Sequence, residues 1–60
     1  MKLKIEIDCG NDAFGEGELS RGAELGRILD KLAEQMRDAH QYVAINDTNG
    51  NVVGTAYFTE

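Results

Sequence analysis

The sequence predicts an α+β fold of two layers, in which one helix packs on a three-stranded mixed sheet. Three observations predict it: an alternating segment at residues 2–9, an amphipathic segment at 21–39, and two β-rich segments joined near Asn49-Gly50. The element order is β-α-β-β with a C-terminal hairpin, and residues 1–60 form a single small α/β domain. A domain of this size buries only about 60% of its unfolded surface, so a partner or a second copy would add stability.

The first strand is predicted from strict alternation of apolar and polar residues. Its apolar face is Leu3, Ile5, Ile7 and Cys9, and its polar face is Lys2, Lys4, Glu6 and Asp8. This pattern is typical of a strand with one face in the core and one in water. Glycine, Asn and Asp then predict a loop over residues 10–19. Its bulky apolar residue, Phe14, is expected to plug the edge of the core; the alternative is an exposed binding anchor.

The helix is predicted over residues 21–39, with Ser20 as its N-cap. Its apolar stripe consists of Leu25, Ile28, Leu29, Leu32, Ala33, Met36 and Ala39. Gly22 and Gly26 lie at the border of this stripe, where each costs roughly 1 kcal/mol relative to alanine. They predict either a close approach of the helix backbone to the sheet or a frayed first turn.

The two C-terminal strands, residues 41–47 and 51–59, are joined by a turn with two possible geometries. A type I′ turn at Asn49-Gly50 makes the numbers of facing residues sum to 99, so that Tyr42 faces Tyr57. A type I turn that begins at Asp47 and ends in a G1 bulge makes them sum to 98 and exchanges the two faces. We prefer 99 because it gathers the aliphatic residues and one phenylalanine on one core face. That face consists of Val43, Ile45, Val52, Ala56 and Phe58.

The crossover helix predicts that the first and second strands run parallel, and the hairpin makes the third antiparallel to the second. The third strand lies either between the other two, in the order 1-3-2, or at the far edge. The middle position is expected, because this strand has the smallest and least charged residues.

A single helix covers only one face of the sheet, so the other face is predicted to be open. The residues predicted to contact a partner there are Tyr42, Ala44, Val53, Thr55 and Tyr57. Tyrosines beside β-branched residues favour a protein interface, either with a partner protein or with a second copy of the chain. The alternative is an ordinary solvated face, because Tyr and Thr are common on exposed strands.

The sequence predicts no catalytic residues. Cys9 and His40 could form a nucleophile and its base, but the topology places them at opposite ends of the sheet. Cys9 is instead expected to be a small buried hydrophobic residue, and His40 to interact with the helix C-terminus. We expect no enzyme activity, no cofactor and no small-molecule substrate, because so small a core leaves little room for a pocket.

The candidate cation site is a set of oxygen-bearing residues at one end of the strands, namely Asp8, Asn11, Asp12 and Asp47. Such residues could hold Ca²⁺ or Mg²⁺. The run Asp47, Asn49, Asn51 resembles part of a calcium loop, but the later bidentate Glu is missing. Turns have this composition by default. No metal site is therefore predicted, and a calcium- or magnesium-binding module is kept only as an alternative.

The net charge of −5 argues against nucleic acid as a ligand, because phosphate binding needs a basic face. An acidic mimic of DNA is a weaker hypothesis. Cys9 is the single cysteine, which favours a reducing compartment. The alternating N-terminal residues do not form a signal peptide, and no segment has the roughly 18 apolar residues of a membrane span. A cytoplasmic location and no membrane partner are expected.

Three motifs carry a family resemblance that spans nearly the whole chain. They are Ile5-x-Ile7-x-x-Gly10-Asn11-x-Ala13-Phe14, Ile28-Leu29-x-x-Leu32-Ala33 and the more distinctive Asp47-x-Asn49-Gly50-Asn51-x-Val53-Gly54-x-Ala56-x-Phe58. The sequence thereby resembles short uncharacterised proteins of bacteriophages and prophages. The resemblance implies a phage or prophage accessory protein inside a bacterial host, and it implies no catalytic residues.

Together these observations predict a small acidic protein-interaction domain that binds a host or phage protein. The alternative is a self-assembling structural phage protein, a homo-oligomer such as a dimer joined through sheet edges.

Overall fold

The computed structural model describes residues 1–60 and contains one α-helix and one three-stranded sheet. The elements are strand β1 (Lys2–Ile7), a 3-10 helix (Asp12–Phe14), helix α1 (Glu18–Arg37), strand β2 (Tyr42–Asn46) and strand β3 (Val52–Thr59). The predicted α+β class is therefore confirmed. Neither helix has the length and apolar character that crossing a membrane requires.

The strand order is β1-β3-β2, so the third strand lies in the middle, as predicted. The prediction of a mixed sheet is wrong, because both neighbouring pairs are antiparallel. The physical reason lies in the strand order itself. β1 and β2 each pair with β3, which runs opposite to both, so β1 and β2 are parallel as predicted but are not neighbours.

The hairpin turn differs from the preferred prediction. The Gly50 N–H donates to the Asp47 carbonyl at 3.1 Å, and the Asp47 N–H donates to the Asn51 carbonyl at 2.9 Å. Gly50 has a φ of +86°, whereas Asn49 is not among the residues with positive φ. This geometry is a type I turn followed by a G1 bulge, and the predicted type I′ turn, which needs two positive φ angles, does not form.

A second bulge then restores the predicted register. Asn46 pairs with Val52, a sum of 98, but Ile45 pairs with Gly54, a sum of 99. Val53 is the extra residue between them, and one inserted residue offsets the one-residue shift that the turn introduces. The register of the rest of the hairpin is therefore 99, as predicted, although the predicted turn is wrong.

Glycine is required at position 54 of the central strand β3, where Gly54 faces Ile7 of β1 on one side and Ile45 of β2 on the other. A Cβ atom added there would lie 1.9 Å from the Glu6 carbonyl oxygen of β1. The strands therefore approach too closely for any side chain at this position. Beyond Gly54, Tyr42 faces Tyr57 as predicted.

Helix α1 begins three residues earlier than predicted. Gly17 is its N-cap, and the Ser20 hydroxyl accepts a hydrogen bond from the Gly17 N–H at 3.2 Å and donates to the Gly17 carbonyl at 3.0 Å. Ser20 is therefore the third residue of the helix and caps its first turn from that position. The prediction of Ser20 as the N-cap is wrong. A Cβ added at Gly22 or Gly26 would meet no atom within 4 Å, so neither glycine marks a close approach to the sheet.

The C-terminus of α1 ends in a residue with left-handed backbone. Ala39 has a φ of +64°, its N–H donates to the Met36 carbonyl, and the His40 N–H donates to the Gln35 carbonyl. These two bonds form a Schellman motif, which usually has glycine in the left-handed position. The His40 Nδ1 atom also lies 2.9 Å from the Gln35 carbonyl oxygen, which confirms its predicted contact with the helix end.

The core lies between α1, the 3-10 helix and the covered face of the sheet. Its buried apolar residues are Phe14, Ile28, Leu32, Val43, Ile45 and Ala56. Phe14 is completely enclosed, which confirms its predicted role as a plug. The helix packs mainly on the 3-10 helix and on β2. Apolar residues of β1 on the same face are consequently less well covered.

Candidate interaction surface

The uncovered face of the sheet presents two rows of residues that cross all three strands. In the first row Lys4 of β1 faces Tyr57 of β3, which faces Tyr42 of β2. The second row, in the same strand order, is Glu6, Thr55 and Ala44. Residues directly opposite each other in antiparallel strands have their Cβ atoms about 4.5–5.5 Å apart. These six residues form one continuous surface, called the open face below.

Two tyrosines dominate the open face. Tyr42 is 61% exposed and Tyr57 is 39% exposed, and they lie opposite each other on neighbouring strands. Ala44 is exposed and Thr55 is half-buried beside them. Four of the five residues predicted from the sequence are therefore brought together on one side of the sheet.

The fifth residue, Val53, does not belong to this surface. The bulge at Val53 turns the side chain toward the core, where it packs against the buried cluster, while Val52 is 66% exposed. The sequence pattern predicted the opposite for both residues. Uninterrupted alternation along β3 would put Val52 on the core face, and one inserted residue exchanges the faces of the residues before it.

The hairpin that carries the tyrosines is held at its turn by a buried carboxylate. Asp47 is 4% exposed, and its Oδ1 atom accepts hydrogen bonds from the N–H groups of Asn49 at 2.8 Å and Asn51 at 2.9 Å. Its Oδ2 atom accepts from the side-chain amides of Asn11 at 2.7 Å and Asn51 at 3.3 Å. Asp47 thus ties the turn both to itself and to the loop that follows β1.

A second carboxylate ties the same turn to the helix. Glu24 of α1 is 7% exposed and accepts two hydrogen bonds from the Arg27 guanidinium, at 2.8 and 3.1 Å, and one from the Thr48 N–H at 2.8 Å. Arg27 also donates to the Asn46 carbonyl at 3.3 Å. The turn is therefore fixed to α1 by side chains that the helical pattern places on the solvent side.

Both carboxyl groups are stabilised in the charged form. Burial alone would raise the pKa of Asp47, but the hydrogen bonds from Asn51, Asn11 and Asn49 outweigh it and hold the pKa below its ordinary value. The hydrogen bond from Arg27 lowers the pKa of Glu24 against the opposing effect of burial, and the Thr48 N–H lowers it further. The turn is thus stabilised by charge as well as by backbone hydrogen bonds.

The residues of the candidate cation site are only partly brought together. Asn11 contacts Asp47, but through its amide nitrogen, and the Asp47 oxygens already accept four hydrogen bonds. The Asp8 carboxylate accepts a hydrogen bond from the Gly10 N–H at 2.9 Å. No group of three or more Asp, Glu, His or Cys residues has the geometry of a metal site.

Cys9 and His40 make separate contacts and do not form a pair. Cys9 is partly buried against the core, and its thiol lies 3.8 Å from the Ile7 carbonyl oxygen, whereas His40 contacts the end of α1. Two surface depressions remain, of about 140 Å³ beside β2 and about 470 Å³ beside the loop after β1. Each is lined by a single titratable residue, Lys31 in the first and Asp8 in the second. Neither depression therefore contains an acid–base pair.

Comparison with known proteins gives no match for this chain, whether with family models, curated proteins or solved structures.

Proposed function

We propose that this chain is a small acidic protein-interaction domain without catalytic activity, which binds a partner protein through the open face. The observation that carries the proposal is the pair Tyr42–Tyr57, exposed and directly opposite on a sheet face that no helix covers. Tyrosine is enriched in protein interfaces because it supplies a large contact area and a polar group at low entropic cost.

Rigidity supports the same function. The turn between β2 and β3 is fixed to α1 by Glu24 and to the loop after β1 by Asp47. The two tyrosine-bearing strands are therefore held in one geometry before any partner binds. A preorganised surface loses less conformational entropy on association, which favours affinity.

Charge suggests the nature of the partner. The chain carries a net charge of −5, which favours association with a basic protein surface and disfavours nucleic acid. The resemblance to phage and prophage proteins suggests the setting, an accessory protein in the cytoplasm of a bacterial host. The partner would then be a host or phage protein.

A second candidate function is self-assembly into a homo-oligomer. One specific observation favours it: Leu3 and Ile5 of the edge strand β1 remain 42% and 44% exposed on the side of the sheet that α1 covers. The Asp47 oxygens already accept four hydrogen bonds, which disfavours a calcium- or magnesium-binding module.

The test of the first proposal is affinity capture from a bacterial lysate with the native chain and with the double variant Tyr42→Ala/Tyr57→Ala. We expect a protein retained by the native chain to bind the double variant at least about 30-fold more weakly, as interface hot spots do. Leu19→Ala is the matched control, because Leu19 is 92% exposed on α1, away from the open face. A partner that binds the double variant as tightly as the native chain would overturn the proposal.

A further inference from the structure

Strand β1 is an edge strand whose apolar side chains are incompletely covered. Leu3 and Ile5 are 42% and 44% exposed, whereas Val43 and Ile45 of the other edge strand, β2, are each 4% exposed. All four lie on the same face of the sheet. β1 therefore combines a free backbone edge with exposed apolar residues, the combination through which sheets acquire additional strands.

The free backbone groups of β1 belong to its odd-numbered residues. The Asp8 N–H donates to the Val53 carbonyl at 2.8 Å, so even-numbered residues direct their N–H and C=O groups toward β3. Leu3, Ile5 and Ile7 consequently direct theirs away from the sheet. An added antiparallel strand would pair with these three residues.

The polar face of β1 is complementary to itself. Along the strand and the residue that follows it, this face reads Lys2, Lys4, Glu6 and Asp8, two cations followed by two anions. When a second copy pairs antiparallel with Ile5 opposite Ile5, each Lys4 faces a Glu6 and each Lys2 faces an Asp8. A shift by two residues in one direction puts Lys4 opposite Lys4, and a shift in the other puts Glu6 opposite Glu6. Only in the register centred on Ile5 does every charged residue face a residue of opposite charge.

We infer that this chain forms a two-fold symmetric dimer through antiparallel pairing of β1 with β1 of a second copy, centred on Ile5. Such a dimer has one continuous six-stranded sheet, because each copy contributes three strands. On the covered side, Leu3 packs opposite Ile7 of the second copy and the two Ile5 side chains meet at the axis. The two open faces become one surface with two pairs of tyrosines. The inference rests on the second proposed function and is independent of the first.

The test is to reverse the central charges singly and together and to measure the dimerisation constant by sedimentation equilibrium. In a dimer of Lys4→Glu, two pairs of carboxylates face each other across the axis. In a dimer of Glu6→Lys, two pairs of ammonium groups do. Each should weaken the dimer about tenfold or more. The double variant Lys4→Glu/Glu6→Lys keeps the native net charge and restores both attractive pairs, so it should dimerise like the native chain. An equimolar mixture of the two single variants should form a heterodimer.

Controls separate this register from general effects of charge. Arg21→Glu changes the net charge as Lys4→Glu does but lies on α1, and it should leave the dimer unchanged. Circular dichroism confirms that each variant is folded. If one single variant does not fold, the contrast between the other single variant and the double variant provides the test. A native chain that is monomeric up to its solubility limit overturns the inference. Single variants that dimerise like the native chain also overturn it, as does a mixture of the two single variants that stays monomeric. Tyr42→Ala/Tyr57→Ala should dimerise normally, so failure of the tyrosine surface and failure of the dimer are told apart.

Discussion

Replacement of Phe14 by alanine should remove most of the stability of this domain. Phe14 is completely buried, so the substitution removes the phenyl ring from the core and leaves a cavity, a change that typically costs about 3–5 kcal/mol. The whole domain, at 60 residues, is expected to have a free energy of unfolding of about 3–9 kcal/mol. The variant should therefore be largely unfolded or only marginally stable.

The assay is urea unfolding followed by far-UV circular dichroism. Phe14→Leu keeps most of the side-chain volume and should cost less than about 1.5 kcal/mol, which provides a measurable variant if Phe14→Ala does not fold. Leu19→Ala, at a position that is 92% exposed, should change the free energy of unfolding by no more than about 0.5 kcal/mol. A cost below about 1 kcal/mol for Phe14→Ala would refute the reasoning, because it would mean that Phe14 does not close the core.

Three further predictions concern the close approach of β1 and β3, the C-terminus of α1 and the two carboxylates that bind the hairpin turn. Gly54→Ala should cost about 3 kcal/mol, the upper end for overpacking, because the new methyl group would overlap the Glu6 carbonyl; thermal unfolding checks this. Ala39→Gly should stabilise by about 1 kcal/mol, because glycine adopts the left-handed backbone at the end of α1 without strain; urea unfolding checks this. Asp47 and Glu24 have pKa values lowered by folding, so their stabilisation is full above the ordinary values of 3.8 and 4.5 and is lost as the pH falls through the lower folded values. Urea midpoints measured from neutral to acidic pH should therefore fall, and Glu24→Gln should reduce that dependence.

Each of these predictions has an outcome that contradicts it. Gly54→Ala with native stability would mean that β1 and β3 are not in close contact at Glu6. Ala33→Gly, inside α1 and exposed, is the opposite control for Ala39→Gly and should destabilise by about 1 kcal/mol. If both substitutions destabilise, Ala39 is not left-handed. Urea midpoints that do not change between neutral and acidic pH would show that the two carboxylates are not stabilised by folding.

The fold class followed from the sequence because periodicity is a strong signal over long segments. Alternation located β1, and the apolar stripe located α1 to within three residues at its start. The position of β3 in the middle also followed, from its small uncharged residues. The strand directions followed as well, because β1 and β2 run parallel to each other and β3 runs antiparallel to β2. The prediction of a mixed sheet was wrong, because the order 1-3-2 separates the two parallel strands and leaves only antiparallel neighbours.

Details of the hairpin could not be predicted, because two bulges act in opposite directions. The turn at Asp47 shifts the register by one residue and the bulge at Val53 shifts it back. Alternation alone shows only the net result, so Tyr42 and Tyr57 were placed correctly while Val52 and Val53 were exchanged. The type I turn itself is the alternative that the sequence offered at Asp47, although the register expected from that turn does not extend beyond Val53.

The helical pattern could not predict that Glu24 and Arg27 bind the turn between β2 and β3. Glu24 and Arg27 lie on the polar side of α1, where charged residues are normally solvated. The burial of Glu24 and the contact of Arg27 with the turn depend on where the turn lies relative to the helix, which is a tertiary property. The incomplete covering of β1 is of the same kind, because it depends on the helix packing mainly over β2.

The central claim is that the open face is the surface that binds a partner, and NMR mapping of the bound chain tests it most directly. The isotope-labelled chain is titrated with the protein that the affinity experiment captures, and changes in its amide signals are recorded. The predicted result is that signals of Tyr42, Ala44, Thr55 and Tyr57 shift or broaden first, while those of the exposed side of α1 do not. Changes concentrated on α1 or on the loop of residues 8–17, with the tyrosine strands unaffected, would contradict it.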